Sequence, residues 1–344
     1  MIRSASTTFS IRTLLLWLFV AVLPTITEAQ PADKFAPLLD RADELAPLNS
    51  LIIYQKGEIV AERYYRGMKA DKAVNMKSVS KTLLSPLVGI AMRDGLLEGP
   101  DQKIADFLPE YYAEIDDAHR NQITLRDVLS MTTGLEGTSF GTYGAWVASK
   151  DWVKYALDRD IACEIGACMT YSTGNTHLIS VILSRASGKN LRSYAREAFF
   201  RKLGIPMHKW DQDPQGYYLG GNNMALRPRD MLRFGQVFLN KGRYKGEQLV
   251  PAEWIEISWE PRTISPWNGH RYGYLWWSRV FGGEQTYFAW GYGGQYIFIL
   301  PELESIVIVT SSLRNRPRGV DHNQAVQQFL SEEIIPTLRA SGDR

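Results

Sequence analysis

Hydrophobic and polar positions follow two different periods along the 344-residue chain. Phe35 to Ala46 carries apolar residues at helical spacing, with Pro37 tolerable in its first turn. Leu51-Ile52-Ile53-Tyr54 and the run Ile59 to Tyr65 flank Lys56-Gly57, a β-hairpin pattern. The middle of the chain reads as helices: Val79 to Arg93, Leu125 to Met131, Ala145 to Leu157, Thr176 to Ala186, Leu191 to Phe200 and Pro228 to Asn240. Strand patterns return in Tyr272 to Arg279, Gln285 to Trp290, Gln295 to Leu300 and Ser305 to Ser311, rich in aromatic and β-branched residues. An amphipathic helix, Asn323 to Ala340, follows. Strands at both ends with helices between predict an α+β fold of α/β-sandwich type, with one antiparallel sheet built from both chain ends. The sheet lobe takes about 30–90 and 241–344, and a mostly helical lobe about 91–240.

The first residues obey neither period. Arg3 and Arg12 precede or flank an apolar run from Leu14 to Leu23, and Thr27-Glu28-Ala29 follows. That order predicts a secretory signal peptide, 1–29, and an exported (periplasmic or secreted) mature domain, 30–344. The run is short for a membrane span, so an uncleaved anchor is the lesser alternative. Composition is ordinary for a globular protein, 45% hydrophobic and 22% charged. Removing Arg3, Arg12 and Glu28 takes the 39 basic and 37 acidic residues to 37 and 36, a net charge of +1. Such a balance speaks against nucleic acid or an anionic membrane as partner and leaves a small molecule, with the oligomeric state open. Cys163 and Cys168, the only cysteines, can close a short disulfide just before Tyr171 in an oxidising compartment. They have no nearby histidine, and His119, His177, His208 and His270 lack metal-ligand spacing, so neither metal nor cofactor is expected.

Ser78-Val79-Ser80-Lys81 carries the candidate chemistry. A helix brings residues three apart onto one face, and a deprotonated amine beside a serine hydroxyl activates it as a nucleophile. Ser-x-x-Lys arises by chance about once in a chain of this length, so context decides. Val79, Leu83, Leu84, Leu87, Val88, Ile90 and Ala91 make the helix apolar nearly all round, hence buried. Burial strips Lys81 of hydration and lowers its pKa. Pro86 should bend that helix. The bland alternative makes Ser78 a helix cap and Lys81 a solvated side chain. Tyr171-Ser172-Thr173 precedes another apolar helix, where a phenol can shuttle a proton, although taken alone Tyr171 reads more readily as a core or rim aromatic. Trp290-Gly291-Tyr292-Gly293-Gly294-Gln295 lies between strands, where glycine permits close backbone approach and an N–H can complete an oxyanion hole with that of Ser78, although taken alone the run reads as the tight glycine turn of a hairpin. Trp276, Trp277, Trp290 and Tyr292 are candidates for an aromatic pocket, although core packing explains the first two equally well.

Taken in order, these segments resemble the serine β-lactamase and penicillin-binding protein superfamily. The likeness is closest to its class C-like branch of esterases, D-aminopeptidases and 6-aminohexanoate-dimer hydrolases. It extends through Ile123 to Leu135, Arg229 to Gly235, Leu249 to Trp254 and Tyr272 to Trp277. The resemblance implies a β-lactamase/transpeptidase-like fold, Ser78 as acylated nucleophile, Lys81 as its activator and Tyr171 as proton shuttle. Trp290-Gly291-Tyr292 stands where the superfamily carries Lys-Thr-Gly or His-x-Gly, and Thr173 stands at the third position of its Tyr-x-Asn motif. The first change removes a cation for a substrate carboxylate, the second an amide that would contact a β-lactam side chain, which leaves Thr173, with Trp290, Gly291 and Tyr292, as a candidate substrate contact. Both argue against efficient β-lactam hydrolysis and for a serine hydrolase cleaving an ester or amide of another small substrate.

Three rivals remain open at this level. A catalytically inert sensor or binding protein shares the same fold, and a D,D-peptidase or transacylase acting on cell-wall peptides shares the same residues. Gly137-Thr138-Ser139-Phe140-Gly141 also matches the Gly-x-Ser-x-Gly nucleophile elbow, with Asp321 and His322 to complete a triad. That elbow requires a buried strand before it and a helix after it, and Leu125 to Leu135 reads as helix and turn.

Overall fold

The structure, a computed structural model, describes Met1 and residues 34–342 apart from 116, 315–318 and 320. Apart from Met1, the expected signal segment lies outside the described residues. The hairpin forms as β1 (Leu48–Gln55) and β2 (Glu58–Tyr64), turning through Lys56 and Gly57 with φ of 48° and 96°. Two consecutive positive φ angles give the primed turn that matches strand twist.

Both chain ends build one sheet. Its later strands are β3 (Thr263–Ile264), β4 (Arg271–Tyr272), β5 (Trp277–Phe281), β6 (Glu284–Gly291), β7 (Gln295–Leu300) and β8 (Ser305–Ser311). The order is β2-β1-β8-β7-β6-β5-β4-β3, antiparallel throughout, with Ile52 opposite Ile308 where the two ends meet. Every residue of β7 and β8 is buried, so both faces of the sheet centre are covered. Helix α1 (Ala36–Glu44) joins the carboxy-terminal helix through the 3.0 Å pair Arg41–Glu333. Helix α6 (Pro228–Leu239) lies on the sheet at Gly235, where an added Cβ would sit 3.1 Å from Ile306.

Several single elements of the pattern are divided. Val79 to Arg93 is two helices, α2 (Val79–Thr82) and α3 (Ser85–Arg93); Pro86 falls in the first turn of the second, where its missing N–H costs nothing. Ala145 to Leu157 is Tyr143–Ala148 and Trp152–Leu157, the latter capped by Asp151 accepting the Lys154 N–H. Tyr272 to Arg279 is not one strand: Leu275 takes φ 66° and its N–H turns away to Leu129. Leu191 to Phe200 ends in a π turn over Arg196–Phe200, and the last helix is interrupted by another over Leu330–Ile334. Helix α4 (Leu125–Ser130) and helix α5 (Thr173–Ser187) form as expected, α5 beginning three residues earlier because Ser172 caps it. Among the described residues, no helix is long and apolar enough to cross a membrane.

Candidate active site

Ser78 is delivered by a strained turn. The short strand Val74–Asn75 pairs with Ala225–Leu226, and Lys77 then adopts φ 51°, a left-handed conformation costly for a residue with a β-carbon. The Lys77 N–H donates to Asn75 Oδ1 at 2.9 Å, which holds the turn. Ser78 stands at the amino end of α2, yet its hydroxyl makes no cap hydrogen bond. The bland reading of Ser78 as a helix cap therefore fails. Helix α2 is a single turn, so any help to an oxyanion comes from local N–H groups, not from a long dipole. The Ser78 N–H meets no acceptor among the described residues.

Lys81 is 1% exposed, so it is not a solvated side chain either. Its Nζ lies 2.8 Å from the Gly221 carbonyl, 3.0 Å from Thr173 Oγ1 and 3.3 Å from Ser78 Oγ. Desolvation lowers its pKa from 10.5 to about 7, and no carboxylate offsets that loss. Helical spacing within α2 puts Lys81 beside Ser78, but its surroundings come from α5 and from Gly221, distant in sequence.

Tyr171 sits directly before α5, lining the same cavity as Ser78, with its ring centroid 5.0 Å from Lys81 Nζ. Burial raises the phenol well above its ordinary pKa, so it stays protonated. The ring stacks on Trp277 at 5.7 Å and meets Phe140 at 5.9 Å. Behind it, the Cys163–Cys168 disulfide closes a short loop packed on residues 132–134 through the Gly166 N–H to the Thr132 carbonyl and the Cys163 N–H to the Gly134 carbonyl.

Beside these residues opens a cavity of about 480 Å³ lined by Ser78, Phe140, Tyr171, Trp267, Asn268, Trp277, Trp290, Tyr292 and Asn323. Six of the nine are aromatic and none carries a formal charge at neutral pH. Trp290 donates from Nε1 to Asn323 at 3.3 Å, and Tyr292 is 65% exposed at the mouth. Gly291 lies beneath. A Cβ there would stand 2.3 Å from the Met76 carbonyl, so β6 presses its last turn against the segment that carries Ser78.

Of the residues expected at the site, Ser78, Lys81, Tyr171, Trp290, Tyr292 and Trp277 converge. Trp276 does not: it is buried in the core, 4.5 Å from Phe238. Thr173, expected to touch substrate, is 3% exposed and spends its hydroxyl on Lys81 and Ser139. Ser139 does not sit on a strand-to-helix elbow: among the described residues no strand leads into it, and its hydroxyl accepts the Thr173 N–H. His322 instead bonds Ser311 at 2.8 Å, and Asp321 caps the helix that follows. Pattern reasoning missed Phe140, Trp267, Asn268, Asn323 and Gly221. The only signal for Trp267 was a large apolar residue inside the turn sequence Pro266-Trp267-Asn268-Gly269, where core packing has no use for it.

Known proteins resemble this chain over most of its length. The 6-aminohexanoate-dimer hydrolase of Paenarthrobacter ureafaciens is 22% identical over 318 residues, covering 83% of this chain and 79% of that protein. The structure of EstCE1, a hydrolase with promiscuous acyltransferase activity, superposes with a TM-score of 0.71 at 15% identity, covering 87% and 99% of the two chains. A penicillin-binding protein homologue from Caulobacter crescentus gives 0.70 at 15% identity, covering 90% and 98%. Residues 44–331 match the family described as Beta-lactamase, and the chain accordingly belongs to that family of serine hydrolases.

Proposed function

We propose that this protein is an exported hydrolase that cleaves an uncharged ester or amide through an acyl-enzyme on Ser78, residues 30–344 acting as one catalytic domain. The observation that carries this reading is the buried Lys81 amine, with a pKa of about 7, 3.3 Å from Ser78 Oγ at the floor of an aromatic cavity. Neutral Lys81 accepts the Ser78 proton as Oγ attacks the carbonyl carbon. The N–H of Ser78 and that of Tyr292 receive the oxyanion; losing one such donor costs about 3 kcal/mol of transition-state stabilisation. Tyr171, kept protonated by burial, gives its proton to the departing alcohol or amine and regains one from Lys81. Water then resolves the ester on Ser78 by the same steps in reverse.

The uncharged lining supports a neutral substrate and disfavours β-lactams, whose carboxylate finds no cation there. The relatives named as a 6-aminohexanoate-dimer hydrolase and as a hydrolase with promiscuous acyltransferase activity are consistent with amides and esters as the classes to screen. A disulfide within the chain accords with an oxidising destination. The direct test is intact-mass analysis after incubation with a slow acylating ester. An adduct on Ser78, absent from Ser78→Ala, is the expected result, and an adduct on any other residue overturns the assignment.

A further inference from the structure

Ser139 belongs to a sequence run that the Ser78 chemistry leaves unused, yet it is bonded into that site. Its Oγ accepts the Thr173 N–H at 2.9 Å and also lies 2.9 Å from Thr173 Oγ1, itself 3.0 Å from Lys81 Nζ. A neutral lysine amine has two N–H donors and one lone pair. The Gly221 carbonyl can only accept, so it takes one N–H. The other N–H and the lone pair are divided between Thr173 Oγ1 and Ser78 Oγ, and each hydroxyl can play either part. When Thr173 donates to Lys81, the lone pair is consumed and the Ser78 proton has no acceptor. When Thr173 donates to Ser139, it accepts from Lys81 and the lone pair faces Ser78.

We propose that Ser139 is a positioning residue: by accepting the Thr173 hydroxyl proton it makes Thr173 an acceptor for Lys81 and aims the amine lone pair at Ser78. This rests on the reading of Ser78 and Lys81 above. No proton is transferred through the Ser139–Thr173 pair; it sets two hydroxyl orientations. The loop around Ser139 is stitched in place. Thr138 Oγ1 accepts the Gly174 N–H at 2.6 Å, and the Thr138 N–H donates to Ser172 Oγ at 3.2 Å. Thr142 Oγ1 donates to the Gly137 and Ser139 carbonyls. Tyr171 is the titratable group facing Lys81 from the start of α5. Lys77 and Asp211 meet across Asn223 on the Gly221 side, and Glu284, the one carboxylate of β6, pairs with Arg339.

The test compares wild type, Ser139→Ala, Ser139→Thr, Thr173→Val and Thr138→Ala with a neutral ester, reading kcat, KM, the pH profile of kcat/KM and the Ser78 adduct. Ser139→Ala is expected to lower kcat about tenfold or more with KM within about twofold, because a positioned base is misdirected while binding is spared. Its acid limb should move to lower pH, since the Thr173 proton then rests on the amine lone pair. Ser139→Thr should restore kcat and the limb, and Thr173→Val should shift the limb in the same direction as Ser139→Ala. Thr138→Ala removes the Oγ1 bond to the Gly174 N–H but keeps the Thr138 N–H bond to Ser172 and the Thr142 bonds that hold Ser139, so its limb should shift less than that of Ser139→Ala. If Ser139→Ala fails to fold, Thr173→Val and Ser139→Thr decide alone. Unmoved limbs in Ser139→Ala or Thr173→Val, or an equal shift in Thr138→Ala, overturn the positioning role while Ser78 still labels. Wild type that never labels at Ser78 overturns the underlying reading as well.

Discussion

Lys81 holds the central conflict at the scale of single residues. An amine buried among uncharged groups destabilises the fold, because the unfolded chain binds its proton far more tightly. The folded pKa, about 7, lies below the ordinary 10.5. The penalty is therefore fully present below pH 7 and fades as pH rises through 10.5. Lys81→Met should raise stability by on the order of a few kcal/mol at pH 7 and by progressively less toward pH 10.5, while turnover is lost. Thermal melts of the two proteins across that pH range check this; a variant less stable than wild type at pH 7 would contradict it. The same shift sets activity. In the proposed mechanism the neutral amine is the base, so kcat/KM should fall with an acid limb near pH 7. Tyr171, raised well above its usual range, should add no basic limb below pH 10. A bell with its basic limb near 8 would argue against this assignment of roles.

At the scale of elements, the site depends on two close approaches of backbone. Gly291 lets the end of β6 touch the Met76 carbonyl, and a methyl group placed 2.3 Å from that oxygen forces one of them to move. Gly291→Ala should cost roughly 1–3 kcal/mol in stability, as overpacking does, and displace Ser78 from the cavity floor. Chemical denaturation and kcat/KM together would show it; full activity would mean that β6 yields without disturbing Ser78. The disulfide acts on the opposite side. Its partners are five positions apart, and a loop that short stabilises by about 2 kcal/mol through the unfolded chain. The Cys163→Ser/Cys168→Ser double variant should lose about that much and show a lower kcat, because the loop supports the approach to Tyr171. Unchanged stability would mean that the contacts to residues 132–134 suffice alone.

For the whole molecule, the decisive feature is that β1 pairs with β8, so the first and last strands of the sheet lie side by side. Long-range pairing of this kind closes large loops before it is rewarded, which makes folding cooperative and late. Deleting residues 305–344 removes the strand between β1 and β7, and the truncated chain should show neither a cooperative melt nor Ser78 labelling. A truncated protein that melts cooperatively would show that the sheet does not need closure by its carboxy-terminal strand. The helices between the two halves hang from this sheet and bring Gly221 and Thr173 to Lys81.

Local pattern by itself determined much of this. The hairpin at Lys56-Gly57, the late strands, the buried helices and the Ser78–Lys81 spacing all follow from side-chain period and turn chemistry acting within a few residues. The Cys163–Cys168 pair belongs to the same short-range class, whereas Tyr171 is marked only by the resemblance and reaches Lys81 through the tertiary fold. Tertiary structure decided the rest. Leu275 breaks a run that reads as one strand because its N–H finds a partner on another segment, which no local propensity reports. Trp276 and Trp277 are neighbours of equal hydrophobicity, yet successive side chains point to opposite sides, and only packing assigns one to the core and the other to the cavity. The acceptors that bind the Lys81 amine, Thr173 and Gly221, lie 92 and 140 residues away. Spacing along the chain marks a candidate nucleophile and its amine, but the groups that surround the amine are ones that only the folded molecule brings within hydrogen-bonding distance.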